Sequence, residues 1–133
     1  MSLNASQVYQ LRECDYGAWR GRSREDTHAE DPSGLDSWLT DVGVSPHGGE
    51  SFRELMARVG DWIEKQRETE HSIAATHAPV VRAAIVHALG VPEEAFCRIG
   101  VAPMTLTDLR LVHLAAKHNQ HPNKVRFYSR QGR

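Results

Sequence analysis

The sequence has little cysteine and no long apolar run. Its two cysteines, Cys14 and Cys97, form no CxxC or metal-spaced pair, which speaks against a cysteine-held metal and is typical of a reduced cytosolic protein. No apolar run approaches the ~18 residues of a membrane span, and the first residues lack a signal-peptide core. The formal net charge is only -1, so nothing global indicates nucleic acid or an anionic membrane. We therefore expect a cytoplasmic protein without nucleic-acid or membrane partners.

The composition is that of an ordinary globular domain. The chain has 133 residues, of which 40% are hydrophobic and 25% charged, enough to bury a core without disulfides or metals. We expect residues 1–133 to form one domain. From Leu109 onward the sequence carries basic side chains and no carboxylate, and we interpret this tail as a solvated face.

One short stretch delivers a histidine to the start of a helix. Ser72 to Thr76 is small and apolar, as in a buried strand, and Ala78-Pro79 then opens a helical pattern that Gly90 closes. The predicted apolar face of this helix consists of Val81, Ile85, Ala88 and Leu89. His77 lies at the junction, where unpaired backbone N–H groups favour an anion. The segment alone is equally compatible with a plain strand-to-helix turn that contains a histidine.

The strongest structural signal is a capped helix in the middle of the chain. Ser51 and Glu54 have the spacing of a capping box and follow the loop Pro46–Glu50. The next residues form one apolar stripe: Phe52, Leu55, Met56, Val59 and Ile63. We predict a helix from Ser51 to about Glu68 that packs this stripe on a sheet, with Trp62 extending the core.

The remaining elements are shorter. We predict an extended Val8–Arg12, a loop over Glu13–Gly21, helices over Arg24–Ala29 and Ser33–Leu39, a helical turn over Glu93–Cys97, and strands over Arg98–Ala102, Met104–Val112 and Lys124–Ser129. Trp38 and Leu39 are expected in the core. The segment His113–His121 holds three histidines whose spacing shares no helix face, so we interpret it as a polar hairpin loop and predict no metal site. Alternating strands and helices favour an α/β fold with a mainly parallel sheet flanked by helices.

Three separated segments together resemble the histidine phosphatase superfamily, the phosphoglycerate-mutase-like proteins. These segments are Leu11–Gly21 (LRECDYGAWRG), His47–Ser51 (HGGES) and Thr76–Arg82 (THAPVVR), in the order and spacing of the family. The resemblance implies a three-layer α/β domain that binds phosphate or a phosphate ester and needs no cofactor. It implies that Glu13 is the general acid that protonates the leaving alcohol. It also implies that His77 is the second active-site histidine, which with Ala78 holds the phosphoryl group.

The family's nucleophile has no counterpart in this sequence. In the family it is a histidine in an Arg-His-Gly motif near the N-terminus, and this sequence contains no Arg-His-Gly. The chain begins about where the family's first half should end, so we expect a truncated domain. A missing first strand would leave Ser72–Thr76 with an open edge, and we expect a homodimer in which that edge is covered by the partner or by the chain's own N-terminal residues.

Four functions stay open at this point. The chain is an inactive phosphatase-like domain with a partial phosphate pocket, an active phosphomonoesterase whose N-terminal part is missing from this sequence, an interaction or assembly module on the same scaffold, or a metal-dependent protein that uses its histidine-rich loop. Loss of the nucleophile and of the family's phosphate-binding arginines favours the first, because a binding group cannot replace a nucleophile.

Overall fold

The computed structural model describes residues 4–66, 71–111 and 123–130. The helices are α1 (Arg24–Glu30), α2 (Pro32–Thr40), α3 (Phe52–Glu64) and α4 (Ala78–Leu89). The strands are β1 (His71–Thr76), β2 (Leu106–Leu111) and β3 (Asn123–Ser129). Short 3-10 turns cover Tyr9–Leu11, Gly17–Trp19 and Glu93–Arg98. The predicted α/β class is confirmed.

The strands form a mixed sheet in the order β1-β3-β2. β1 and β3 are parallel, with Ala74 beside Phe127 and Thr76 beside Ser129, whereas β2 and β3 are antiparallel. The difference follows from the connections, since only residues 112–122 separate β2 from β3 and a parallel crossover needs about a dozen residues or more. The carboxyl ends of β1 and β3 therefore lie side by side, at the point where β1 leads into α4.

Helix α3 forms as its capping box predicts. The Ser51 hydroxyl accepts a hydrogen bond from the Glu54 N–H, and the Glu54 carboxylate accepts one from the Ser51 N–H. The stripe of Phe52, Leu55, Val59 and Ile63 is buried, and Met56 packs against the core. The helix ends at Glu64, earlier than the predicted Glu68, with Lys65 as its C-cap.

Helix α4 has the predicted start and end but a rotated core face. Pro79 lies in its first turn, and Gly90 ends it in the left-handed conformation. The buried residues are Val80, Val81, Ala83, Ala84 and Val86. Leu89 was expected in the core and is 66% exposed, because the small residues of α4 face α3 and the sheet instead.

One face of the sheet carries the core and the other is open. Val125 and Phe127 are buried against the helices. On the opposite face Ile73 is 71% exposed and Leu106 is 62% exposed. β1 pairs only with β3 among the described strands, so its other edge has no described strand beside it.

Helices α1 and α2 form a small cap over the core. The Ser23 side chain caps α1 and the Asp31 side chain caps α2, each by accepting a backbone N–H. Trp38 is buried, as predicted, and its ring centroid lies 3.9 Å from that of Phe52. Leu39 is 41% exposed, so its predicted core position is wrong, because the next residue of a helix points away from the face that Trp38 buries.

Two further predictions are wrong. Tyr9–Leu11 is a 3-10 turn and not part of an extended segment. Arg98–Ala102 is not a strand, because Arg98 ends a 3-10 turn and residues 99–102 pair with no strand of the described ranges, although Ile99 and Val101 pack against the core. The predicted strand Met104–Val112 is present as Leu106–Leu111.

The His113–His121 segment lies outside the described residues. Within the described ranges, no helix is long and apolar enough to cross a membrane.

Candidate active site

His77 lies where β1 gives way to α4. It is the N-cap residue, with an extended backbone (φ -101°, ψ 155°), and its carbonyl accepts the N–H groups of Val80 and Val81. Its imidazole does not cap the helix. The ring is therefore available to groups in front of the helix N-terminus, where backbone N–H groups and the helix dipole favour negative charge.

Glu13 meets His77 at this point. The Glu13 Oε2 atom lies 3.1 Å from His77 Nδ1, and both side chains are 34% exposed. The other carboxylate oxygen, Oε1, accepts the backbone N–H of Cys14 at 2.8 Å. The two residues to which the family resemblance gives active-site roles therefore lie together, although they are far apart in the sequence.

The surroundings of Glu13 favour its protonated form. Burial raises the pKa of the Glu13 carboxyl above its ordinary value, while the Cys14 N–H, His77 and Arg58 oppose that rise. A carboxyl with a raised pKa retains its proton closer to neutral pH, which is a requirement for a general acid.

The segment that carries Glu13 is held by Arg58 of α3. The Arg58 guanidinium donates to the carbonyls of Gln10 at 2.5 Å, Arg12 at 2.8 Å and Glu13 at 3.2 Å. It also forms a two-pronged pair with Glu50, at 2.7 and 2.9 Å, in which the Arg58 and Glu50 side chains are only 13% and 11% exposed. Arg58 thus joins this segment to the loop before α3.

A second contact comes from β1. The buried Thr76 hydroxyl donates to the Leu11 carbonyl at 2.6 Å. Because Thr76 directly precedes His77, one hydrogen bond links the strand that carries the histidine to the segment that carries the glutamate.

The His47–Glu50 loop packs against the Glu13–Gly21 loop. Ala18 N–H donates to the His47 carbonyl, and Glu50 N–H donates to the Asp15 carbonyl. Gly17 (φ +50°) packs against the backbone of His47 too closely for any side chain. The two family-like loops are therefore one packed unit.

His47 itself is a buried structural residue. Its Nδ1 accepts the Gly49 N–H at 2.9 Å, and its ring contacts those of Trp38 and Trp19, at centroid distances of 4.5 and 5.1 Å. Burial lowers the pKa of His47, an effect that the nearby Asp15 partly opposes. A neutral ring inside an aromatic cluster is unsuited to act as the nucleophile in the described cleft.

Glu13 and His77 open into a broad cleft of about 1190 Å³. Ala78 and Pro79 of α4 also line this cleft, and one of its walls is formed by the α1–α2 cap. Ala78, the third residue predicted for the site, therefore lies beside His77 in the cleft.

Three arginines line the cleft, and the sequence analysis assigned none of them to the site. They are Arg22, Arg24 and Arg130. Arg22 is paired with Glu30. Arg130 follows β3 directly, and its N–H donates to the Thr76 carbonyl at 2.8 Å. Since parallel strands end at the same edge of a sheet, the position of Arg130 immediately after a strand was the signal that could have identified it.

The site contains no arrangement suited to a metal among the described residues. Within those ranges, no group of three or more His, Cys, Asp or Glu side chains is close enough together to hold an ion.

A family model for the histidine phosphatase superfamily (branch 1) matches residues 2–121. A curated relative, the bifunctional protein Rv2228c of Mycobacterium tuberculosis, is 41% identical over 49 residues, which are 37% of this chain and 14% of that protein.

Solved mycobacterial structures have a similar fold. Glucosyl-3-phosphoglycerate phosphatase Rv2419c matches with a TM-score of 0.57 at 22% identity, over 70% of this chain and 49% of the other. Its complex with inorganic phosphate gives a TM-score of 0.54 at 23% identity, over 70% of this chain and 50% of the other. Mycobacterial hydrolase 2 matches with a TM-score of 0.59 at 19% identity, over 88% of this chain and 56% of the other. The matched region thus spans about half the length of these structures.

Proposed function

Because the chain belongs to the histidine phosphatase superfamily, we propose that the cleft at Glu13 and His77 is a partial phosphate site. In this proposal it binds phosphate or a phosphate ester, and the 133-residue chain does not by itself hydrolyse the ester. The observation that carries the proposal is the 3.1 Å contact between Glu13 and His77 in front of the α4 N-terminus.

The roles of the residues follow from their positions. His77 and the backbone at Ala78 would hold the phosphoryl oxygens, because both lie where the helix offers unpaired donors. Glu13, whose pKa is raised by burial, would face the ester oxygen as the acid. A relative of the same fold solved in complex with inorganic phosphate supports phosphate as the ligand.

The proposed lack of turnover rests on chemistry. Transfer through a phosphohistidine needs an imidazole in line with the leaving oxygen, and cations around the transferring group. Glu13 and His77 provide an acid and a binding group, and the sequence has no Arg-His-Gly motif to provide the nucleophile.

The test is a turnover assay with p-nitrophenyl phosphate across a range of pH. We expect rates near background, no phosphohistidine, and no difference between the native chain and His77→Ala. Robust turnover that disappears in His77→Ala would refute the proposed inactivity and mean that another histidine serves as nucleophile.

A second candidate is an active phosphomonoesterase in a longer protein. The observation that favours it is that Glu13 and His77 lie 3.1 Å apart in one cleft although the chain matches only about half of the solved structures. A longer version that adds an upstream Arg-His-Gly segment should then hydrolyse the same ester, and Glu13→Gln should slow it. An inactive longer version would eliminate this candidate.

We also propose that the chain forms a homodimer in the cytoplasm. The edge of β1 that has no described strand beside it, and the exposed Ile73 and Leu106 on the sheet face opposite the core, support self-association, and two free cysteines suit a reducing compartment. Sedimentation velocity should give a dimer that Ile73→Lys dissociates. A stable monomer at all concentrations would contradict the dimer, and the interaction-module alternative would lose its main support.

A further inference from the structure

The cleft is far larger than a phosphate group. Its volume of about 1190 Å³ exceeds the range of sites that hold whole small molecules, roughly 300 to 1,000 Å³. A phosphoryl group at Glu13 and His77 would leave most of this space to the rest of the ligand. The walls beyond these two residues therefore determine which ester fits.

Part of the cleft lining is apolar. Leu39 of α2 is 41% exposed and lines the cleft, and half-buried Trp19 is another of its lining residues. Pro103 also lines the cleft. An exposed leucine and a tryptophan that share one concave surface are suited to an apolar ligand group.

The Thr27 hydroxyl of the cleft lining already donates a hydrogen bond within α1, and the Ser23 hydroxyl already accepts one there. The Thr27 hydroxyl donates to the Ser23 carbonyl at 3.0 Å, and the Ser23 hydroxyl accepts the Asp26 N–H at 3.0 Å. A ligand rich in hydroxyl groups would have to compete with these bonds. The Thr27 hydroxyl therefore offers such a ligand less than the apolar side chains offer an apolar one, whereas the arginines of the cleft, Arg22, Arg24 and Arg130, suit an anionic phosphoryl group.

The Trp19 ring is held in place before any ligand arrives. It meets the His47 ring at 5.1 Å and the Trp38 ring at 6.1 Å, both edge to face. Its backbone N–H donates to the Tyr16 carbonyl within a fixed turn. A preorganised aromatic ring loses little entropy when a ligand packs on it.

From these contacts we infer that the cleft selects phosphate monoesters whose alcohol carries an aromatic or apolar surface, and that Trp19 and Leu39 are the specificity-determining residues. The inference rests on the proposed phosphate site, because the phosphoryl group must occupy the Glu13–His77 end to direct the alcohol toward α2.

The test is a calorimetric titration with inorganic phosphate, methyl phosphate, glycerol 3-phosphate and phenyl phosphate. We expect phenyl phosphate to bind about tenfold more tightly than methyl phosphate, since ~60 Å² of ring surface leaves water. Glycerol 3-phosphate should resemble methyl phosphate. Trp19→Ala and, separately, Leu39→Ser should reduce the phenyl preference while affinity for methyl phosphate is retained. Leu106→Ser, which alters an exposed leucine on the open sheet face, should leave the whole series unchanged.

The outcomes separate this inference from the one it rests on. If the four ligands bind with equal affinity, or glycerol 3-phosphate matches phenyl phosphate, the inference is wrong and the phosphate site stands. If none of the four binds, both are wrong. Because Leu39 is exposed, Leu39→Ser should remain folded even if Trp19→Ala does not, and an unchanged phenyl preference in folded Leu39→Ser would also overturn the assignment of Leu39.

Discussion

Replacement of Arg58 by methionine should strongly destabilise the protein and separate Glu13 from His77. Arg58 is nearly buried, pairs with Glu50 and supplies three backbone carbonyls with donors. Methionine keeps much of the side-chain length but none of these donors. The substitution therefore removes one partner of a buried ion pair and leaves the Glu50 carboxylate without its cation.

The expected magnitude follows from that burial. Breaking a buried pair by removing one partner costs about 3 to 5 kcal/mol, and the lost hydrogen bonds overlap with that figure and are not added to it. Against a total stability of roughly 5 to 15 kcal/mol for an ordinary domain, this is a large fraction. Urea denaturation of Arg58→Met should show it as a lower midpoint.

A matched control lies on the same helix. Arg53 also pairs with a carboxylate, Glu93, but both groups are far more exposed, at 59% and 34% of their side chains. Water screens such pairs well, so Arg53→Met should change the midpoint much less. Equal losses for Arg58→Met and Arg53→Met would refute the reasoning, because burial would then make no difference.

The loss of Arg58 should also change the position of Glu13 relative to His77. Without Arg58 the contacts described between the Gln10–Glu13 segment and β1 or His77 are the Thr76 hydrogen bond to Leu11 and the Glu13 contact with His77, and the second of these depends on where the segment lies. In folded Arg58→Met, at low urea, we expect the His77 imidazole NMR signals to lose the influence of Glu13 and to resemble those of Glu13→Gln. Arg58→Lys, which restores the charge but not the geometry, should give intermediate stability. His77 signals identical to the native ones would show that Arg58 stabilises the fold without positioning Glu13.

Three further substitutions test the fold around the site. Leu55→Ala should cost about 2 to 5 kcal/mol in urea melts, as for a fully buried leucine, and a change below about half a kcal/mol would mean a solvent-facing stripe. Burial lowers the pKa of His47 in the folded state, so the contribution of this residue to stability should be complete above about pH 6.5 and be lost as pH falls through the folded-state pKa. The stability of His47→Phe in urea melts should therefore change less than that of the native chain between pH 7.5 and 5 (roughly that window). An unchanged pH dependence of stability in His47→Phe would contradict this. Gly17→Ala should cost more than Gly48→Ala, since both have positive φ but only Gly17 faces the His47 carbonyl; equal midpoints in the same melts would show that the close approach is unimportant.

Local sequence signals predicted where helices begin and end better than they predicted which elements pair with one another. The capping box of Ser51 and Glu54 and the glycine at position 90 determine helix boundaries through nearby atoms, so they could be inferred from sequence. Extended residues such as Ile99 could be recognised, but whether a strand pairs with them depends on distant backbone, which periodicity does not encode. For the same reason the order β1-β3-β2 was not predictable.

The candidate site shows the same division. Glu13 and His77 were assigned to one active site because their motifs resemble one family, and no property of either segment alone placed them together. Arg58 was missed because its partners lie 8 to 48 positions away, and such polar contacts leave no periodic pattern. Arg130 was missed because the basic tail was interpreted as a solvated face, although its backbone bond to Thr76 brings it to the cleft.

The phosphate site is tested most directly by following the His77 imidazole in an NMR titration with inorganic phosphate. If phosphate binds in the cleft, we expect saturable shifts of the His77 ring signals and of the Ala78 amide. His87, which lies at the opposite end of α4 and pairs with Glu64, should not shift and serves as the internal control. The shifts of the Ala78 amide should vanish in His77→Ala. Unchanged His77 signals at millimolar phosphate, or shifts of His77 and His87 alike, would contradict the account.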